Sequence, residues 1–200
     1  MDEATKHVVK PMEEYEVAEL SAQISKFLEL NLDIKIADFR VKRIDGLYVS
    51  GADALALPDE HIIYIDSSFI LKEAENAVKK MRGEIDIEST YKAMMIKILA
   101  HAIMQMVPTY IKDEMMANYI GTIIAFFLTD DPKIILTALK ITGIANLGND
   151  LDLAKYVIGG QKAYETISDM RGDREEIMIV AKSIMLIPAR STNSDTEDYI

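Results

Sequence analysis

Apolar residues recur at helical spacing over residues 13–30. Tyr15, Val17, Leu20, Ile24, Phe27 and Leu28 share one side, while Glu13, Glu14, Glu16 and Lys26 lie elsewhere. The pattern predicts a helix ended by Asn31. The period then shortens. Ile34, Ile36, Phe39, Val41 and Ile44 are interleaved with Lys35, Asp38, Arg40 and Lys42, as in extended chain. Asp45-Gly46 is a tight-turn dipeptide, and Leu47-Tyr48-Val49 would begin a second strand. A small-residue-rich stretch, residues 51–57, leads to a turn at Pro58-Asp59-Glu60. His61-Ile62-Ile63-Tyr64-Ile65 is the clearest strand in the chain. Residues 34–65 thus predict a small, mainly antiparallel sheet of three or four strands.

From Asp66 the pattern is helical. Asp66, Ser67 or Ser68 can cap a helix running to Lys80, broken at Met81-Arg82-Gly83. Ser89 or Thr90 would cap a helix over 90–107, stopped by Pro108. Thr109 would cap another over 110–128, and Asp131-Pro132 would open one reaching residue 142. Gly148-Asn149-Asp150 precedes a short helix ended by Gly159-Gly160, and residues 161–170 form the next. Asp173-Arg174-Glu175-Glu176 reads as a capping box for a last helix to about 187. The class is α+β: a small sheet packed on a helical bundle. Residues 1–12 read as a tail, 13–128 as the main domain, 129–188 as a helical extension packed on it, and 189–200 as a disordered acidic tail.

The chain has 200 residues, half of them apolar, and a net charge of −11. That suits one domain with a real core. The charge is spread along the chain and no basic patch stands out, which disfavours nucleic acid and anionic membrane surfaces. The longest uncharged stretch, residues 115–129, is shorter than the ~20 residues of a spanning helix. The first residues lack a signal-peptide core, so a cytoplasmic protein is expected. With no Cys, disulfides, thiolate metal sites and cysteine nucleophiles are excluded. An Ile-rich chain without Cys or Trp hints at a thermophile.

Candidate chemistry centres on residues 90–107. Met95, Ile96, Leu99, Ile103 and Met106 cluster on one side of this helix. His101 and Gln105, four residues apart, stack on the other. In the following helix Glu114, Ala117, Asn118, Gly121 and Ala125 share a face. Ala117, Gly121 and Ala125 form a small-residue stripe that admits a close helix, and the short connection makes the preceding helix its partner. Glu114 then falls within reach of Gln105. Each feature also has a plain structural reading. Glu114 suits the start of a helix, His61 suits a half-exposed strand, and the methionines suit core filling. No phosphate loop, nucleophile elbow or calcium loop is present.

His101-Ala102-Ile103-Met104-Gln105 resembles the HExxH signature of zincin metallopeptidases. Glu114-Met115-Met116-Ala117-Asn118 resembles the ExxAN element that supplies the third ligand in gluzincin families. Residues 54–65 are similar to the hairpin preceding the active-site helix in the CAAX-prenyl-protease-like group. The resemblance covers roughly residues 34–128 and implies a zincin-like core. It makes His101 the first metal ligand and Glu114 the third, with Asn118 orienting the site. Ala102 stands where the general base belongs and Gln105 where the second His belongs. Ala102 cannot accept a proton, and an amide is a poor zinc ligand. The resemblance therefore implies a vestigial site, without a cofactor unless zinc is retained, in a domain that acts by binding a protein or peptide. The alternatives are a divergent metallopeptidase using His101, Glu114 and a third group such as His61, and an unrelated helical scaffold.

Overall fold

In the computed structural model, which describes residues 8–47, 52–82, 85–110, 113–129 and 151–185, the first helix lies where the apolar spacing places it. This is α1, Glu14–Leu32, burying Val17, Leu20, Ile24 and Leu28. Asp33, in the left-handed region, ends it. Asn31 instead donates from its side chain to the Phe27 carbonyl.

Three strands follow: β1 (Arg40–Arg43), β2 (Ala54–Leu57) and β3 (Ile62–Ile65). Their order is β1-β3-β2. The β2–β3 pair is an antiparallel hairpin around a 3-10 turn at Pro58–Glu60. The β1–β3 pair is parallel, so the sheet is mixed rather than mainly antiparallel. The cause lies at Asp45-Gly46. Gly46 has φ +87°, and the N–H groups of Gly46 and Leu47 both donate to Asp66 Oδ2, at 2.7 and 3.0 Å. This anchor carries the chain away from the edge of β1 instead of folding it back as a hairpin. Tyr48 and Val49, read from sequence as strand, lie outside the described residues.

Asp66 is also the cap of α2, Ser67–Lys80, accepting from the Phe69 N–H. Helix α3, Ile87–Met104, starts three residues earlier than its sequence pattern suggests. Asp86 is the cap, accepting from the N–H groups of Glu88 and Ser89. After a 3-10 turn at Pro108–Tyr110 comes α4, Glu114–Thr129. Its first-turn acceptor is Asp113, bound by the Met116 N–H, and not Thr109.

The last two described helices are α5, Leu151–Asp169, and α6, Arg174–Met185. Residues 151–169 form one helix, so Gly159-Gly160 does not divide it. Gly159 serves packing instead: a Cβ there would fall on the carbonyl oxygen of Met115 in α4. The Asp173 side chain accepts from the Glu176 N–H at the start of α6, as the capping pattern anticipates. Of the expected tails, residues 1–12 and 189–200, the parts 1–7 and 189–200 lie outside the described residues, as does the helix expected to open at Asp131-Pro132, while Met12 is tied to the fold by hydrogen bonds with Tyr91 and Ser67.

Helix α3 is the centre of the molecule. The strands β2 and β3, α1, α2 and α4 all pack on it, and α5 packs on α4. It is buried nearly all round, from Thr90 to Met104, not along one stripe. A helix apolar on every side must be enclosed. Ala163, Ile167, Ile177 and Ala181 of α5 and α6 join the same core as α1 and α3.

Candidate functional site

The end of α3 and the start of α4 bring three of the sequence-predicted residues together. His101 Nε2 lies 3.0 Å from Glu114 Oε2. Gln105 donates from Nε2 to Glu114 Oε1 at 3.3 Å. His101 occupies the last turn of α3, Gln105 is its C-cap, and Glu114 is the first residue of α4. The helices can approach because Gly121 faces α3. A Cβ on Gly121 would lie 2.8 Å from the Lys97 carbonyl oxygen and 3.2 Å from the His101 backbone nitrogen.

Both carboxylate oxygens of Glu114 are therefore engaged. Its pKa is held below the ordinary 4.5, first by the hydrogen bond from His101, against the opposing effect of burial; His101 and Lys155 of α5 add favourable charge. The α4 N-terminus favours the same ionisation. Asn118 lies one turn further on, 1% exposed. Ala102 is buried in the α3 interior.

This donor set does not fit a zincin metal. Opposite a carboxylate, which only accepts, the Gln105 amide must present its NH₂. That group is a donor to Glu114, and the amide oxygen that remains is a poor zinc ligand. No group of three or more His, Asp or Glu side chains able to hold a metal occurs among the described residues. His61 does not join the pair. It sits exposed after the 3-10 turn with φ 53°, its carbonyl accepting from the Arg40 N–H. His7 lies outside the described residues. The arrangement instead works as a polar clasp closing the α3–α4 turn.

The clasp makes an acid-stability prediction. Glu114 has a folded pKa below its unfolded one, so its contribution is complete above about pH 4.5 and fades as pH falls below that value. Glu114→Gln is expected to lose about 1 kcal/mol at pH 7, after discounting for partial exposure. The loss should shrink in urea melts as pH is lowered below 4.5.

Two features escaped the sequence reading. One is Lys97, one turn before His101 and only 3% exposed. Burial lowers its pKa to about 8, partly opposed by the charge of Asp53. Asp53 is itself raised, by burial and then by Glu73, with Lys97 opposing and Asp66 adding slightly. The available signal was a lone Lys inside the apolar run Ala93–Ala102. The other feature is a groove of about 680 Å³ between α1 and residues 36–42, lined by Ala18, Ala22, Ser25, Phe39, Arg40 and Lys42 among others.

No helix among the described residues is long and apolar enough to cross a membrane. Comparison of the chain with protein-family profiles, curated proteins and solved structures finds no match.

Proposed function

We propose that this chain is a zincin-like domain without hydrolytic activity, which works by binding a protein or peptide partner in the cytoplasm. The observation that supports the reading is the hydrogen bonding of Glu114. The residue that matches the third metal ligand has one oxygen against His101 at 3.0 Å and the other accepting from Gln105 at 3.3 Å. A Gln in place of the second His supplies a hydrogen bond where a ligand would be needed. Ala102, in the general-base position, offers no proton acceptor. The substitutions are mutually consistent: each replaces a catalytic requirement with a packing or hydrogen-bonding one.

Zinc titration against a chromophoric chelator tests this. The wild type is expected to take up no stoichiometric zinc and to leave casein-derived peptides intact. Ala102→Glu combined with Gln105→His should gain one zinc per chain if the clasp descends from a metal site. A folded double variant with no gain would sink the descent. Zinc-dependent hydrolysis by the wild type, lost in His101→Ala, would sink the non-hydrolytic reading.

A further inference from the structure

Among the described residues, no strand pairs with the outer edge of β1. The Arg40 N–H donates to the His61 carbonyl at 2.9 Å, and the Ile44 N–H to the Ile65 carbonyl at 3.0 Å. Strand alternation therefore turns the N–H groups of Val41 and Arg43 away from β3. β1 is the outermost strand on that side, and the groove along α1 runs beside it. One outward group has already attracted a carboxylate: the Arg43 N–H donates to Glu14 Oε2 at 3.3 Å.

The wall across the groove is unusually low. Ala18, Ser21, Ala22 and Ser25 recur along α1 at positions that share one helix face. Ala18 and Ala22 are exposed. Small side chains here leave room for a second backbone beside β1. Charge narrows the choice of occupant. The charged lining of the groove is Arg40 and Lys42 against Glu14 and Asp38, but on β1 itself, where an added strand would pair, the exposed charges are both positive. Arg43 is held by Glu13 at 2.7 Å, whereas Arg40 and Lys42 are exposed on the face of β1 opposite Val41.

From this geometry we infer that the groove takes an extended acidic segment of a partner protein, added as a strand along β1. The inference rests on the reading of the chain as a binding domain. Side chains of an added strand alternate between faces. One set would meet Arg40 and Lys42 and should be carboxylates. The other would meet the Ala18–Ala22 wall and should be apolar. Main-chain hydrogen bonds supply affinity, and the alternating side chains supply selection. A second copy docking through its own β1 is disfavoured, because it would set Arg40 and Lys42 against the same cations.

The test uses the full chain and a fluorescein-labelled peptide of alternating Glu and Val, about seven residues long, near the length of an ordinary strand. Fluorescence anisotropy should report binding that weakens with salt. Arg40→Glu with Lys42→Glu, and separately Ala22→Trp, should each weaken it roughly tenfold or more. All three changed positions are exposed, so thermal melts should match the wild type. Exchanging Glu for Lys in the peptide should abolish binding to the wild type and restore it to the charge-reversed variant. Failure of the wild type to bind, or equal binding by all variants, overturns the docking site. A wild-type dimer broken by Ala22→Trp would assign the groove to a second copy and overturn it as well. Peptide integrity is followed in the same samples: cleavage would overturn the non-hydrolytic reading while leaving the docking result to stand or fall by itself.

Discussion

Gly159→Ala is expected to destabilise the chain by about 3 kcal/mol, near the upper end of ordinary overpacking. Replacing a mid-helix Gly with Ala normally favours the helix by about 1 kcal/mol. Here that gain is overwhelmed. The new methyl would fall on the Met115 carbonyl oxygen, with Met115 C at 2.9 Å and Cα at 3.1 Å. These are backbone atoms at the start of α4, so no rotamer change can relieve the clash. Either α5 lifts off or the first turn of α4 moves, and that turn carries Glu114. For a chain of this size the loss corresponds to roughly 6–12 °C in Tm. Gly121→Ala should act in the same direction with a smaller effect, because its nearest contact, the Lys97 carbonyl, is at 2.8 Å. Calorimetry of both variants checks the order. A Gly159→Ala protein as stable as the wild type would mean that α5 does not sit on α4 as described.

The second large effect belongs to Lys97, and its sign is unusual. Its folded pKa, about 8, lies below the ordinary 10.5. Between those values the unfolded chain binds the proton more tightly than the folded one, so stability rises with pH across that window. Lys97 should contribute about 3 kcal/mol of rise between pH 8 and 10.5. Other lysines and tyrosines that titrate there will superimpose on it. The difference between wild type and Lys97→Met isolates the term. Asp53 is the carboxylate whose charge supports the ammonium. Asp53→Asn is expected to cost about 2 kcal/mol at pH 6, where the amine must stay charged, and much less at pH 10. This is below the usual range for a broken buried pair because Asp53 is itself half-buried. Removing both charges, as Lys97→Met with Asp53→Asn, should be close to neutral and should flatten the pH dependence. Guanidinium melts at pH 6, 8 and 10 provide the measurement. A flat wild-type-minus-Lys97→Met difference would mean that the amine is solvated.

Much of the site was legible because its signals are local. His101 and Gln105 share a face through helical spacing. Glu114 comes within reach because so few residues join the two helices. The stripe of Ala117, Gly121 and Ala125 announces a close partner, and Gly121 indeed lies against the α3 backbone at Lys97 and His101. The clasp itself was only partly visible. Sequence spacing brings Glu114 to Gln105 readily, but the His101 contact depends on α4 starting at Glu114, which Asp113 decides by capping it. The groove was less legible still. The cations of residues 35–43 were dispersed among strand residues, and their charge disappears in the acidic total.

The amino-acid pattern by itself determined the α+β class, the positions of α1, α2 and α6, the strand at 62–65 and the identity of the central helix pair. Those features depend on residues within one or two turns of each other, so propensity, period and capping suffice. Tertiary structure alone decided three things. β1 runs parallel to β3 because Asp66 holds the loop at Gly46 and Leu47, about twenty residues away in sequence. Gly159 continues a helix rather than ending one because Met115 of α4 needs the space. Lys97 is a buried cation because elements distant in sequence pack around α3, with the charge of Asp53 supporting it. In each case the deciding atom comes from a distant part of the chain, and no window read along the sequence contains both partners.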